Sequence, residues 1–227
     1  MYSRPRRQNR ASPSKEKEGP LSPTRFATAF ANLLLAATSA YALRQTGGFG
    51  LQASPATWAS TVTFSFFLFH AIIGIIRFGN PQYGDALRSA YENTTFWCVV
   101  IALPFFSAQI SIMYSLPTGF GLSFIFLGFA TVGLHYVSRI YLNGKNNGEA
   151  RWAESFRVKF VVSINLFTIV ALCYVNLNFY GVAASLSFLH NFFFTGLTGT
   201  VFNIPAVDLF VYQLAFFNLF AVKALLD

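Results

Sequence analysis

The residues best suited to chemistry are three histidines, His70, His135 and His190, and each lies inside a long apolar stretch. Ionisable side chains are costly in hydrocarbon, so their presence there points to function. Three neutral imidazoles form a zinc ligand set, with water in the open fourth position and hydrolysis as the resulting chemistry. On this reading the chain is a histidine-dependent intramembrane lipid hydrolase, with His70, His135 and His190 as its metal ligands. The competing reading gives each imidazole a hydrogen bond to a neighbouring helix, with no catalytic residue, metal or cofactor. We take the second, because the three lie on separate apolar segments. His70 and His135 are expected toward the cytosolic half and His190 nearer the middle.

The pattern also differs from that of seven-span metal-dependent lipid amidases and receptor-like hydrolases. Those families pair histidines one helical turn apart and add an acidic or serine partner within the membrane. Here no two histidines are close in sequence, and Asp208 falls near the end of an apolar segment.

A second set comprises the amides Asn32, Gln109, Asn165, Asn191, Gln213 and Asn218. They could line a polar path, which would make the chain a small transporter or channel. Amides within membranes more often bond across helices, at about 0.6 kcal/mol each. Ala27, Ala31, Ala36 and Ala40 form a small-residue stripe suited to close helix approach. Cys98 and Cys173 sit in apolar blocks without metal or redox spacing and read as small buried hydrophobes. The chain has no phosphate-cradling glycine loop, nucleophile elbow, paired acids or zinc-finger spacing.

The elements that must position these residues follow from composition. Of 227 residues, 54% are hydrophobic and 11% charged, against about 25% charged in an average soluble domain. Apolar residues fall in blocks long enough to cross a hydrocarbon core of about 30 Å as helices, and lipid leaves the backbone no other partner. The fold class is therefore all-α, a polytopic transmembrane helical bundle over residues 25–227. Its spans lie at about 26–43, 56–76, 94–114, 120–142, 158–175, 182–201 and 205–226. Pro104 predicts a kink in the third, and Pro205 suits the first turn of the last. The segment 182–201 contains His190, Asn191, Gly196, Thr198, Gly199 and Thr200, so it is a span or a re-entrant half-helix. Seven spans are favoured, with six as the alternative.

Residues 1–24 read as a disordered basic tail. Arg4, Arg6, Arg7, Arg10, Lys15, Lys17 and Arg25 precede the first span and carry much of the formal charge of +8. Alternation of sides puts Arg77, Arg88, Arg139, Lys145, Arg151, Arg157 and Lys159 on the face of the tail, while the opposite loops carry only Arg44. Cytoplasmic loops hold the Lys/Arg excess, so the tail and this face are expected in the cytosol. Asn93-Thr94-Thr95, a glycosylation pattern, would lie on that face unused. Two similar loop segments, Gly84–Arg88 and Gly148–Trp152, hint at a parallel repeat.

The expected partners are the lipid bilayer, anionic headgroups at the cytosolic face and other membrane proteins. Nucleic acid is not among them, because the basic charge flanks bilayer-spanning segments. The reading adopted is a non-enzymatic scaffold, assembly or regulatory factor, in the endoplasmic reticulum or another endomembrane rather than the plasma membrane.

Overall fold

The computed structural model describes residues 26–47, 57–80, 86–141, 155–196, 199–201 and 204–227. The basic tail, Gly84 and Asp85 of the first repeat-like segment, all of the second, and the loop cations Lys145 and Arg151 lie outside them.

Among the described residues the chain forms seven helices: α1 (Phe26–Gln45), α2 (Trp58–Gly79), α3 (Arg88–Met113), α4 (Thr118–Tyr141), α5 (Phe156–Val175), α6 (Phe179–His190) and α7 (Ala206–Leu226). A π turn, Asn191–Thr195, extends α6. Six of them, all but α6, are long and apolar enough to cross a membrane. Two short strands, Thr200–Val201 and Ile204–Pro205, pair antiparallel before α7.

The helices alternate in direction. The starts of α1 and α7 meet through Thr28 and Asp208, and the end of α2 meets the starts of α3 and α7 through Phe78, Tyr91 and Val207. Near the end of α4, Ser138 meets Arg157 at the start of α5. We call this the basic end. Arg44 and Lys223 lie at the other.

Packing places α3 inside, against α2, α4 and α5, while α1 joins α2 to α7 and α6 joins α5 to α7. In the apolar window of α3, 83% of residues are buried, against 22% for the peripheral α4. Phe217 of α7 lies at the centre of the core. Its ring is 5.7 Å from Phe67 of α2, 5.2 Å from Phe106 of α3 and 5.4 Å from Phe188 of α6, all edge-on. Such pairs are worth about 0.5–1.5 kcal/mol each beyond burial.

The disturbance expected at Pro104 takes the form of a π turn, Cys98–Ala102. Proline has no N–H for the carbonyl four residues back and its ring crowds that carbonyl, here Val100. Gly128 of α4 fits against it: a Cβ at Gly128 would lie 2.6 Å from Val100 O. Thr63 of α2 donates to a second carbonyl of the turn, Ala102 O, at 3.1 Å.

At the other end α3 and α5 terminate alike. Ser115 and Leu177 adopt φ of 57°, and the next residue in each case bonds back to a carbonyl five residues earlier (Leu116 to Ser111, Asn178 to Cys173). These are Schellman ends on non-glycine residues.

Three sequence expectations need correction. The third helix starts at Arg88 rather than about 94, because an Arg88–Glu92 ion pair of 2.9 Å supports a charged first turn. The sixth ends at Thr195 rather than about 201: Gly196 takes φ 66°, and residues 200–201 pair as a strand. The buried stripe of α1 is Thr28, Ala31, Asn32, Leu35, Ser39, Ala42 and Leu43. Of the four alanines expected to form it, only Ala31 is buried, and Ala27 is exposed.

Candidate functional site

A buried polar junction occupies the basic end where α1, α2, α3 and α7 meet. From α1 come Thr28 and Asn32, one turn apart. From α2 come His70, Gly74 and Arg77, whose spacing of four and then three keeps them on one face. Tyr91 and Thr94 come from α3, and Asp208 from the first turn of α7. The side chains of Thr28, Asn32, His70, Arg77, Tyr91, Thr94 and Asp208 are all 3% exposed or less.

Thr28 donates its hydroxyl to Asp208 Oδ1 at 2.5 Å, joining helices 180 residues apart in sequence. The first turn of a helix suits an acid, because its free amides and dipole favour negative charge. The Arg77 guanidinium carbon lies 4.8 Å from the Phe78 ring centroid and 5.1 Å from that of Tyr91. The other side of the cluster brings the His70 ring to 4.6 Å from Tyr91. Cation–π contact of this kind strengthens when desolvated.

His70 Nδ1 is 2.9 Å from Thr94 Oγ1. The one hydroxyl proton of Thr94 goes to Tyr91 O at 3.0 Å, so Thr94 accepts from the ring. Nδ1 thus carries the imidazole proton, and Nε2 keeps a buried lone pair with no hydrogen-bond partner among the described residues. The Asn32 amide donates to Thr28 O at 2.8 Å. Its Oδ1 and the Tyr91 hydroxyl are also buried, and Asn32 and Tyr91 are the groups that can serve each other there. Asn32 lies directly over Gly74, where a Cβ would come within 2.1 Å of Oδ1. Glycine is what lets α1 and α2 approach here. Chemically the junction acts as a clamp, since its groups bond to or stack on different helices.

The three histidines face separate neighbours. His70 meets Thr94 and Tyr91. The ring of His135 on α4 lies 4.6 Å from Phe96 of α3. His190, at the end of α6, pairs with Gln213 of α7 at 2.9 Å. Among the described residues no three of His, Cys, Asp and Glu gather to hold a metal.

Most amides tie helices. Gln109 Oε1 accepts from Ser60 N at 3.2 Å, so α3 caps the start of α2. Asn191 donates to Phe210 O at 3.0 Å and Asn218 to Ser39 Oγ at 2.8 Å. Asn165 bonds within its own helix, to Val161 O. Asn178, which sequence reasoning passes over, caps α6 at Gly181 N and donates to Ala224 O. Both cysteines are buried and free.

Sequence reasoning also misses the junction itself. It places Arg77 just past the second span, and Asp208 near a helix end, where Asp208 does lie; what it does not show is that both are buried. The available signal is that each is the only charged residue in or beside its apolar block at that end.

Helices of this length and apolarity, knitted by buried polar ties, define a multi-pass membrane protein. Compared with protein-family models, curated proteins and solved structures, the chain matches none.

Proposed function

We propose that the protein is a non-enzymatic scaffold, assembly or regulatory factor of an endomembrane, the endoplasmic reticulum first, with its basic end in the cytosol. The filled interior carries this reading. Phe67, Phe106, Phe188 and Phe217 pack the centre of the bundle, and the amides above it and below it are used as ties. Broad apolar faces point outward instead, with Phe126 on α4, Phe167 on α5 and Phe194 on α6 more than 70% exposed. Such faces bind lipid and other membrane helices.

The orientation is supported by Arg88, Arg157 and Lys159 at the basic end. There, together with the tail cations, they meet anionic headgroups. Helices of 20 to 22 residues in α1, α2, α5 and α7 are long enough to cross a bilayer about 27 Å thick at a tilt of about 25–35°.

A transporter built on the amide-lined helices is the competing reading. Reconstitution into liposomes, with ions and small solutes offered as a panel, separates the two. We expect flux no greater than in empty liposomes and, on mild extraction from native membranes, a near-stoichiometric membrane-protein partner. Solute-selective flux from a chain that purifies alone would replace the scaffold with the transporter.

A further inference from the structure

We propose that the outward face of α6 and α7 around His190 binds a transmembrane helix of another protein through a hydrogen-bond acceptor which that helix carries. The proposal rests on the scaffold reading and locates its partner.

The direction of a short hydrogen-bond chain carries it. Thr195 donates to Gln213 Oε1 at 3.1 Å. Gln213 Nε2 lies 2.9 Å from His190 Nδ1, and an amide nitrogen only donates, so Nδ1 accepts. The neutral ring therefore holds its proton on Nε2. His190 is exposed, with its ring stacked on Phe194 at 5.6 Å and 20°. An oriented donor thus ends the chain on the outside of the bundle.

Depth then selects the acceptor. Helices α6 and α7 run antiparallel, with Asn178 bonded to Ala224 near one end and Asn191 to Phe210 toward the other. His190 is level with residues near Gln213, about 10 Å inside the start of α7 at about 1.5 Å per residue. Leu186, Leu189, Phe193, Phe194 and Phe216 are exposed around it. Headgroups do not reach that depth, and hydrocarbon offers no acceptor. A membrane helix bearing Asn, Gln, Asp or Glu does.

A second copy of this chain fits poorly. In a symmetric pair the acceptor would have to come from Gln213 Oε1, which already receives Thr195, or from the Ser187 hydroxyl, which is held to Gln213 O, and each would have to accept from the partner's ring at the same depth. The π turn Asn191–Thr195 adds an independent observation. Unlike the turn in α3, which Pro104 follows, it has no proline after it within the helix, yet it presents Thr195 to Gln213 and so maintains the chain.

The test uses the full chain in liposomes, labelled with a donor fluorophore, and two acceptor-labelled leucine-based transmembrane peptides. One peptide is plain and the other carries a single Asn about 10 Å from the matching end. We expect the Asn peptide to associate about three- to tenfold more tightly, the range for one interhelical hydrogen bond. His190→Phe should abolish the preference while retaining ring volume, and Gln213→Leu should weaken it. Helix content and detergent stability of both variants serve as folding controls. Equal association of the two peptides, or a preference that survives His190→Phe, overturns the proposal. So does His190-dependent energy transfer between two copies of the chain. If native partners still co-purify with His190→Phe, the inference fails while the scaffold reading stands.

Discussion

Replacing Gly74 with alanine introduces one methyl group where α1 and α2 are closest. Built on the backbone, that Cβ lies 2.1 Å from Asn32 Oδ1, 2.3 Å from Cγ and 2.8 Å from Nδ2. Ordinary contact begins about 1.3 Å further out, and because Cγ itself is too close, the whole carboxamide has to move. Rotating it away breaks the 2.8 Å bond to Thr28 O, and parting the helices loosens the packing of α1 on α2. Overpacking of this kind costs about 1–3 kcal/mol. Gly133→Ala on α4 is the control, because nothing lies within 4 Å of its added Cβ. Alanine's helix propensity should leave it neutral or stabilised by up to about 1 kcal/mol. The difference between the variants is therefore about 2 kcal/mol, roughly a thirtyfold change in the unfolding equilibrium. Titration with SDS from mild mixed micelles, followed by tryptophan fluorescence, measures it. Asn32→Ala combined with Gly74→Ala should recover at least half the loss, since neighbours in contact are not additive. The reasoning is refuted if Gly74→Ala matches Gly133→Ala, or if the double variant shows the simple sum.

Gly128→Ala puts a Cβ 2.6 Å from the backbone oxygen of Val100, which cannot swing aside, so the same titration should show a loss of about 1–3 kcal/mol. Gln109→Leu removes the acceptor of Ser60 N–H and should destabilise by about 1 kcal/mol, with faster amide exchange confined to the start of α2. Asp208→Asn keeps an oxygen for Thr28, whereas Asp208→Ala strands a buried hydroxyl; the alanine variant should be the less stable by about 1 kcal/mol or more. In a host that glycosylates, Asn93 should carry no glycan by mass spectrometry, because the Thr95 hydroxyl is buried and donates to Tyr91 O at 2.7 Å.

Where hydrocarbon dictates the answer, the sequence is readable. Apolar blocks without charge can only be helices, and six of them lie within a few residues of the observed bounds, apart from the start of α3. Solvent-level patterns fail where local chemistry overrides them. A charged turn, Arg88 to Glu92, belongs to a membrane helix because its two charges pair. Residues 199–201 read as the end of a span, but Gly196 and Gly199 take positive φ and residues 200–201 pair with 204–205 as strands. Small residues do not by themselves mark an interface. The stripe of α1 that packs is set by Thr28, Asn32 and Ser39, whose polar groups need partners away from lipid. Arg77 and Asp208 read as edge charges because nothing local reveals that Tyr91 and Thr28, distant in sequence, close over them. The three imidazoles are visible as intramembrane groups, whereas their separate neighbours are a property of helix packing alone.

Six helices are long enough to cross unaided, yet α1 and α7 start at the same end, so the account depends most directly on α6 and its π turn making a seventh passage, with the basic end proposed to face the cytosol. One epitope placed before Arg4 and another after Asp227, probed by protease in sealed endomembrane vesicles with the cytosolic side outward, measures this. The first epitope should be cleaved at once and the second only after permeabilisation. Cleavage of both in intact vesicles would make α6 a re-entrant element and leave six crossings. Protection of the first with cleavage of the second would invert the bundle and contradict the placement of its cations.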